Sequence, residues 1–178
     1  LMNRGRAMAR GGDVKGAIAE FREAQKLSSD IQVPTEEEVK WWAARGLANK
    51  GEKLVKEGKV QEAIDAYSKA RKLKPNWYLE ADSWDILCRY GSLHGEATKV
   101  MEACDNALRR APGNIEFRDS RGIARALTRD KQGAIEDFQA FIKSTDSEEK
   151  IKQRQGWIEA LKAGENPFTE EVLEELKE

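Results

Sequence analysis

Small and apolar residues return along this 178-residue chain in a fixed frame. A glycine is followed twelve positions later by an alanine and four beyond that by an aromatic: Gly5, Ala17 and Phe21; Gly51, Ala63 and Tyr67; Gly122, Ala134 and Phe138. The surrounding residues echo too. Arg4-Gly5-Arg6-Ala7 and Lys15-Gly16-Ala17-Ile18-Ala19-Glu20-Phe21 reappear as Arg121-Gly122-Ile123-Ala124 and Gln132-Gly133-Ala134-Ile135-Glu136-Asp137-Phe138. A degenerate copy opens at Trp84, Leu87 and Cys88, puts Cys104 where the others have an aromatic, and closes with Ala107 and Pro112. Each copy predicts two antiparallel helices. Small residues such as Gly51 and Ala63 let the backbones approach and Tyr67 fills the gap beside them, while Pro75 and Pro112 end the second helix.

The spacing from Ala17 to Ala63, Val100 and Ala134 is 46, 37 and 34 residues, so the first interval holds an insertion. It contains a helix start at Pro34, Thr35 and Glu36 to Glu38, with carboxylates at the positive end of the helix dipole. The first helix of the second copy is therefore expected to run long, from Glu36 to about Glu57, carrying Trp41 and Trp42. Beyond the fourth copy, Ser147 to Ala163 reads as a helix with Ile151, Trp157, Ile158 and Leu161 on one side. Asn166-Pro167 breaks it, and Thr169 starts a last amphipathic segment with Val172, Leu173 and Leu176.

This frame resembles the tetratricopeptide repeat, a 34-residue helical hairpin. The resemblance implies an all-α, right-handed α-solenoid of about four hairpins in one domain, 1–178. Its repeats would be approximately 1–29, 36–77, 78–113 and 114–146, followed by capping helices over 147–178. It also implies a protein-protein interaction scaffold without catalytic residues or a cofactor. The family's concave face is lined by the first helix of each repeat, which here places Arg6, Arg10, Glu52, Lys56, Asp85, Arg89, Asp119 and Ile123 in a partner-binding groove. Members that grip acidic chaperone tails use a Lys-and-Asn clamp, and the corresponding pairs here, Met2/Arg6, Ala48/Glu52, Asp85/Arg89 and Asp119/Ile123, do not supply it. The stretch from Asp119 to Phe168 is also similar to C-terminal helical modules of bacterial multidomain signalling proteins, which follow caspase-like, NTPase or WD-repeat parts. On that similarity the first partner would be the rest of the same polypeptide.

Composition narrows the chemistry. No apolar run reaches the ~20 residues of a membrane span, 35% of residues are charged and the net charge is -1. These values place the chain in a cytoplasm, with no global pull toward nucleic acid or membrane. Two cysteines and one histidine make neither a disulfide framework nor a zinc site, so reduced core thiols are expected at Cys88 and Cys104, and a solvated His94 in a turn. Arg10-Gly11-Gly12-Asp13 is a helix-helix turn and lacks the Lys-Ser/Thr of a phosphate loop.

The arginines Arg118, Arg121, Arg125 and Arg129 fall on one helical stripe, preceded by Arg109 and Arg110, and offer an alternative reading as a nucleic-acid or phosphate-binding face. Arg121 and Asp137 are sixteen residues apart, as are Arg4 and Glu20, and antiparallel pairing predicts an ion pair in each case. Trp84 and Trp157 read as core. Trp41, Trp42 and Trp77 are less constrained, and since adjacent helical residues diverge by about 100°, one of Trp41 and Trp42 is expected to face outward as a partner anchor. The chain opens with Leu1 inside a helix, as a fragment would. Ala7, Met8 and Ala17 would then lack a covering neighbour and could support a homodimer.

Overall fold

A computed structural model describes residues 1–75 and 80–178; Trp77 and the junction between the second and third expected repeats lie outside the described residues. Among the described residues there are ten α-helices and no strand. They are α1 (Met2–Arg10), α2 (Val14–Leu27), α3 (Glu36–Lys56), α4 (Val60–Leu73), α5 (Ala81–Leu93), α6 (Ala97–Arg110), α7 (Ile115–Leu127), α8 (Lys131–Ile142), α9 (Glu148–Ala163) and α10 (Glu170–Glu175). Their contacts divide the chain into two compact units, where one domain was expected: Leu1–Leu54 with Gln61–Leu79, and Val55–Val60 with Glu80–Glu178.

In the first unit, the Asp13 carboxylate accepts the Gly16 N–H at 2.9 Å and caps α2. Phe21 then lies across Gly5 so closely that a Cβ on the glycine would stand 2.7 Å from the ring. Arg4 and Glu20 form the anticipated ion pair. Ala17 is 0% exposed inside a cluster with Ala9, Phe21 and Val39. This corrects the expectation that it is left open for a second copy, because α1 and its neighbours already cover it. The long α3 starts with a reciprocal cap: Thr35 Oγ1 accepts the Glu38 N–H at 3.2 Å, and Glu38 Oε2 accepts the Thr35 N–H at 2.7 Å. Tyr67 rests on Gly51, 2.9 Å from where a Cβ would be.

In the second unit the same slot recurs, with Phe138 2.7 Å from a Cβ at Gly122. Between those copies the slot holds two cysteines. Cys88 and Cys104 are joined by a disulfide across Cα atoms 4.9 Å apart, both fully buried. The expected reduced thiols are thereby corrected. Residues sixteen apart in this frame face each other across the hairpin, so the third copy closes its glycine-aromatic slot with a covalent bond. His94 is also more than solvated: its Nε2 lies 3.2 Å from the Lys56 carbonyl, and the ring faces Gly58.

The end of the second unit is sealed as the apolar pattern of α9 and α10 predicts. Phe138, Trp157 and Phe168 form an aromatic triangle with centroid distances of 5.4, 6.3 and 4.8 Å. Ser147 and Thr169 cap the two helices through Lys150 and Val172 N–H groups. Arg154 of α9 reaches Asp119 of α7 through two hydrogen bonds of 2.9 and 2.5 Å, with its guanidinium over Phe141 and Trp157 at 5.0 and 4.5 Å.

Candidate functional site

The first unit holds a cleft of about 560 Å³ lined by Arg10, Trp41, Trp42, Arg45, Gly46 and Asn49. Its floor and one wall come from the insertion-lengthened start of α3. There Trp41, Arg45 and Asn49 follow at four-residue steps along one face, while Trp42 and Gly46 lie beside them. The adjacent tryptophans diverge as helical geometry requires. Trp42 turns inward against Phe21, with ring centroids 6.1 Å apart at 71°. Trp41 turns outward, and 38% of it remains exposed.

The opposite wall is the C-terminal turn of α1. A Cβ on Gly46 would be 2.1 Å from the Arg10 carbonyl oxygen, so the missing side chain is what lets the two backbones cross and sets Arg10 over α3. Arg45 lies 5.4 Å from the Trp41 ring centroid, a cation-π contact that holds both side chains at the rim. Neither Arg10 nor Arg45 has an ion-pair partner among the described residues, and no carboxylate lines the cleft.

The groove residues expected from the sequence fare unevenly. Arg6 and Arg10 are exposed in the first unit, and Glu52 is half-buried there. In the second unit Lys56 is exposed, with Nζ 5.5 Å from the Tyr90 centroid, while Asp85 and Arg89 are half-buried. Asp119 and Ile123 are 0% and 1% exposed. They are corrected from groove to core, because Arg154 of α9 occupies the Asp119 carboxylate and Ile123 joins the cluster around Phe138 and Trp157. Arg45 and Asn49 were missed; the signal available was their four-residue spacing from Trp41.

The arginine stripe is largely consumed. Asp137 accepts two hydrogen bonds from Arg121, both at 2.8 Å, and a third from Arg125 at 2.9 Å. Arg121 also meets Asp105 at 3.3 Å and Arg125 meets Asp130 at 3.4 Å, while Arg118 donates to the Pro112 carbonyl. Arg129 lies beyond the end of α7. The Arg121 to Asp137 pair is the one its spacing predicts. With Arg121 and Arg125 already neutralised by carboxylates, the centre of the stripe offers phosphates little.

Comparison with known proteins addresses the fold. No family model matches the chain. The crystal structure of the P58(IPK) TPR domain superposes with a TM-score of 0.57 at 20% identity, covering 90% of this chain and 45% of that one. The fold is a tetratricopeptide-type α-solenoid. Among curated proteins, the chain is 23% identical over 145 residues to DnaJ homolog subfamily C member 3 of Gallus gallus. It is 22% identical over 143 residues to the same-named protein of Bos taurus. Each match takes in 80% of this chain and 28% of the relative, so the matched part of this chain spans little more than a quarter of those proteins. Among the described residues, no helix is long and apolar enough to cross a membrane.

Proposed function

We propose that this chain is a protein-protein interaction scaffold without catalytic activity, and that it holds a polypeptide segment in the cleft between α1 and α3. The observation that carries the reading is Trp41. A large aromatic left 38% exposed, fixed by a cation-π neighbour at the rim of a cleft, is the side chain that interface hot spots favour. The tetratricopeptide fold of its neighbours supports the reading. A place within a bacterial signalling protein draws no support from the relatives named above, which are vertebrate proteins.

The disulfide bears on where this happens. Thiols stay reduced in a cytosol, so the buried Cys88–Cys104 disulfide supports an oxidising compartment. It weighs against the cytoplasm expected from composition.

Display of random peptides, selected in parallel on the wild-type chain and on Trp41→Ala, tests the cleft without presuming a ligand. Sequences enriched on wild type and lost on the variant are expected. Equal enrichment on both would remove the cleft from consideration.

A further inference from the structure

The charge of the cleft goes further than its shape. Its two ionic residues are Arg10 and Arg45, one from each wall, and both line it together with Trp41. Elsewhere in the chain arginines at helix crossings are matched by carboxylates: Arg4 by Glu20, Arg121 and Arg125 by Asp137, Arg154 by Asp119. At this crossing the matching carboxylate is absent among the described residues. Two guanidiniums presenting planar forks of N–H donors, beside an aromatic face and the Asn49 amide, form a receptor for carboxylates flanking an apolar side chain.

We infer that the occupant of the cleft is an acidic peptide segment, with carboxylate side chains on Arg10 and Arg45 and an aliphatic or aromatic residue against Trp41. The inference rests on the docking reading above and adds the chemistry of the partner to it. Asn49, exposed on the same face of α3, is placed to bond the main chain of an extended segment. The carboxylates come from within the segment rather than from its end, since the two arginines approach from opposite walls and call for separate acceptors.

The test uses the whole chain and a fluorescein-labelled peptide of alternating glutamate and leucine, acetylated and amidated so that side chains are its only carboxylates. The same peptide with glutamine for every glutamate is the control. Anisotropy titration is expected to show the glutamate peptide binding at least about tenfold more tightly than the glutamine peptide. Arg10→Gln with Arg45→Gln should weaken it about five- to tenfold, as two largely exposed ion pairs would, and Trp41→Ala about tenfold or more. All three residues are on the surface, and unchanged circular dichroism confirms that the variants fold.

Equal binding of both peptides, weakened by Trp41→Ala, would leave a docking cleft that ignores charge and overturn the acidic partner while sparing the docking reading. Glutamate-peptide binding that survives all three substitutions would put the attraction elsewhere and also overturn the proposal. So would failure of both peptides to bind, in which case peptide selection on Trp41 still decides whether the cleft docks anything. Displacement of the peptide by equimolar heparin, with no preference between the two peptides, would show indiscriminate polyanion attraction and count against it.

Discussion

Four residues take a positive φ in the turns between paired helices, and three of them are glycines: Gly12 at 91°, Gly58 at 79° and Gly95 at 81°. The fourth is Arg129 at 69°. All stand five positions before the frame position held by Ala17, Ala63, Val100 and Ala134, so the turn geometry is common and only Arg129 bears a Cβ in the left-handed region. That costs about 1 kcal/mol, and Arg129→Gly should raise stability by about 0.5 to 1 kcal/mol in urea unfolding. A lowered midpoint would mean that the exposed guanidinium makes a contact worth more than the strain.

Asp85 supplies a pH dependence. Burial is the main cause pushing its carboxyl up to about 6, helped by Asp82 and Asp119 and opposed by the Ser120 hydroxyl and Arg89, and its Oδ1 is buried without a hydrogen-bond partner among the described residues. The folded state therefore holds the proton more tightly than the unfolded chain does. Stability from this group is present below about pH 4 and is lost as pH rises through 6, a cost of about 1 to 3 kcal/mol above that. Asp85→Asn is expected to be more stable than wild type at pH 7.5 and no more stable at pH 4.5. Identical pH profiles for the two proteins would contradict this.

Which residues could be read from the sequence follows from the frame. Arg121 and Asp137 belong to one hairpin, where sixteen positions is a fixed geometric relation. Arg154 and Asp119 are 35 positions apart, between a hairpin and a capping helix that lies outside the repeat, so no interval announces them. The cysteines occupied a facing pair of slots in plain view. Counting them suggested free thiols, and their positions were the better guide.

At the scale of elements, helix bounds were legible because their caps are chemical. Thr35 with Glu38 fixes the start of α3, and Ser147 and Thr169 fix those of α9 and α10. Crossings between helices of different repeats were not legible, since they depend on how surfaces pack and not on a period. Gly46 is the clearest case. It belongs to none of the matched repeat positions, yet it decides where α1 meets α3. Gly46→Ala forces a Cβ onto the Arg10 carbonyl; it should cost about 1 to 3 kcal/mol and open the cleft. Both are measurable, the first by denaturant midpoint and the second as a loss of the peptides selected on Trp41. A variant with wild-type stability would show that the crossing can slide.

For the whole molecule, the repeat frame identified the fold class, while a boundary between compact units is not something a period can mark, because every copy repeats the same spacing. The covalent link in the second unit sets a further expectation. Replacing both Cys88 and Cys104 by serine removes a 16-residue closed loop from the unfolded chain and should cost about 3 kcal/mol. Wild-type protein reduced in denaturant should show the same loss on refolding under thiol. An unchanged midpoint in both experiments would make the bond dispensable.

That link also bridges the turn at His94 and Gly95, which lies between its two ends. A protease that cuts there severs the polypeptide without separating the pieces. Such a nick would pass unseen on a non-reducing gel and appear as two bands once thiol is added.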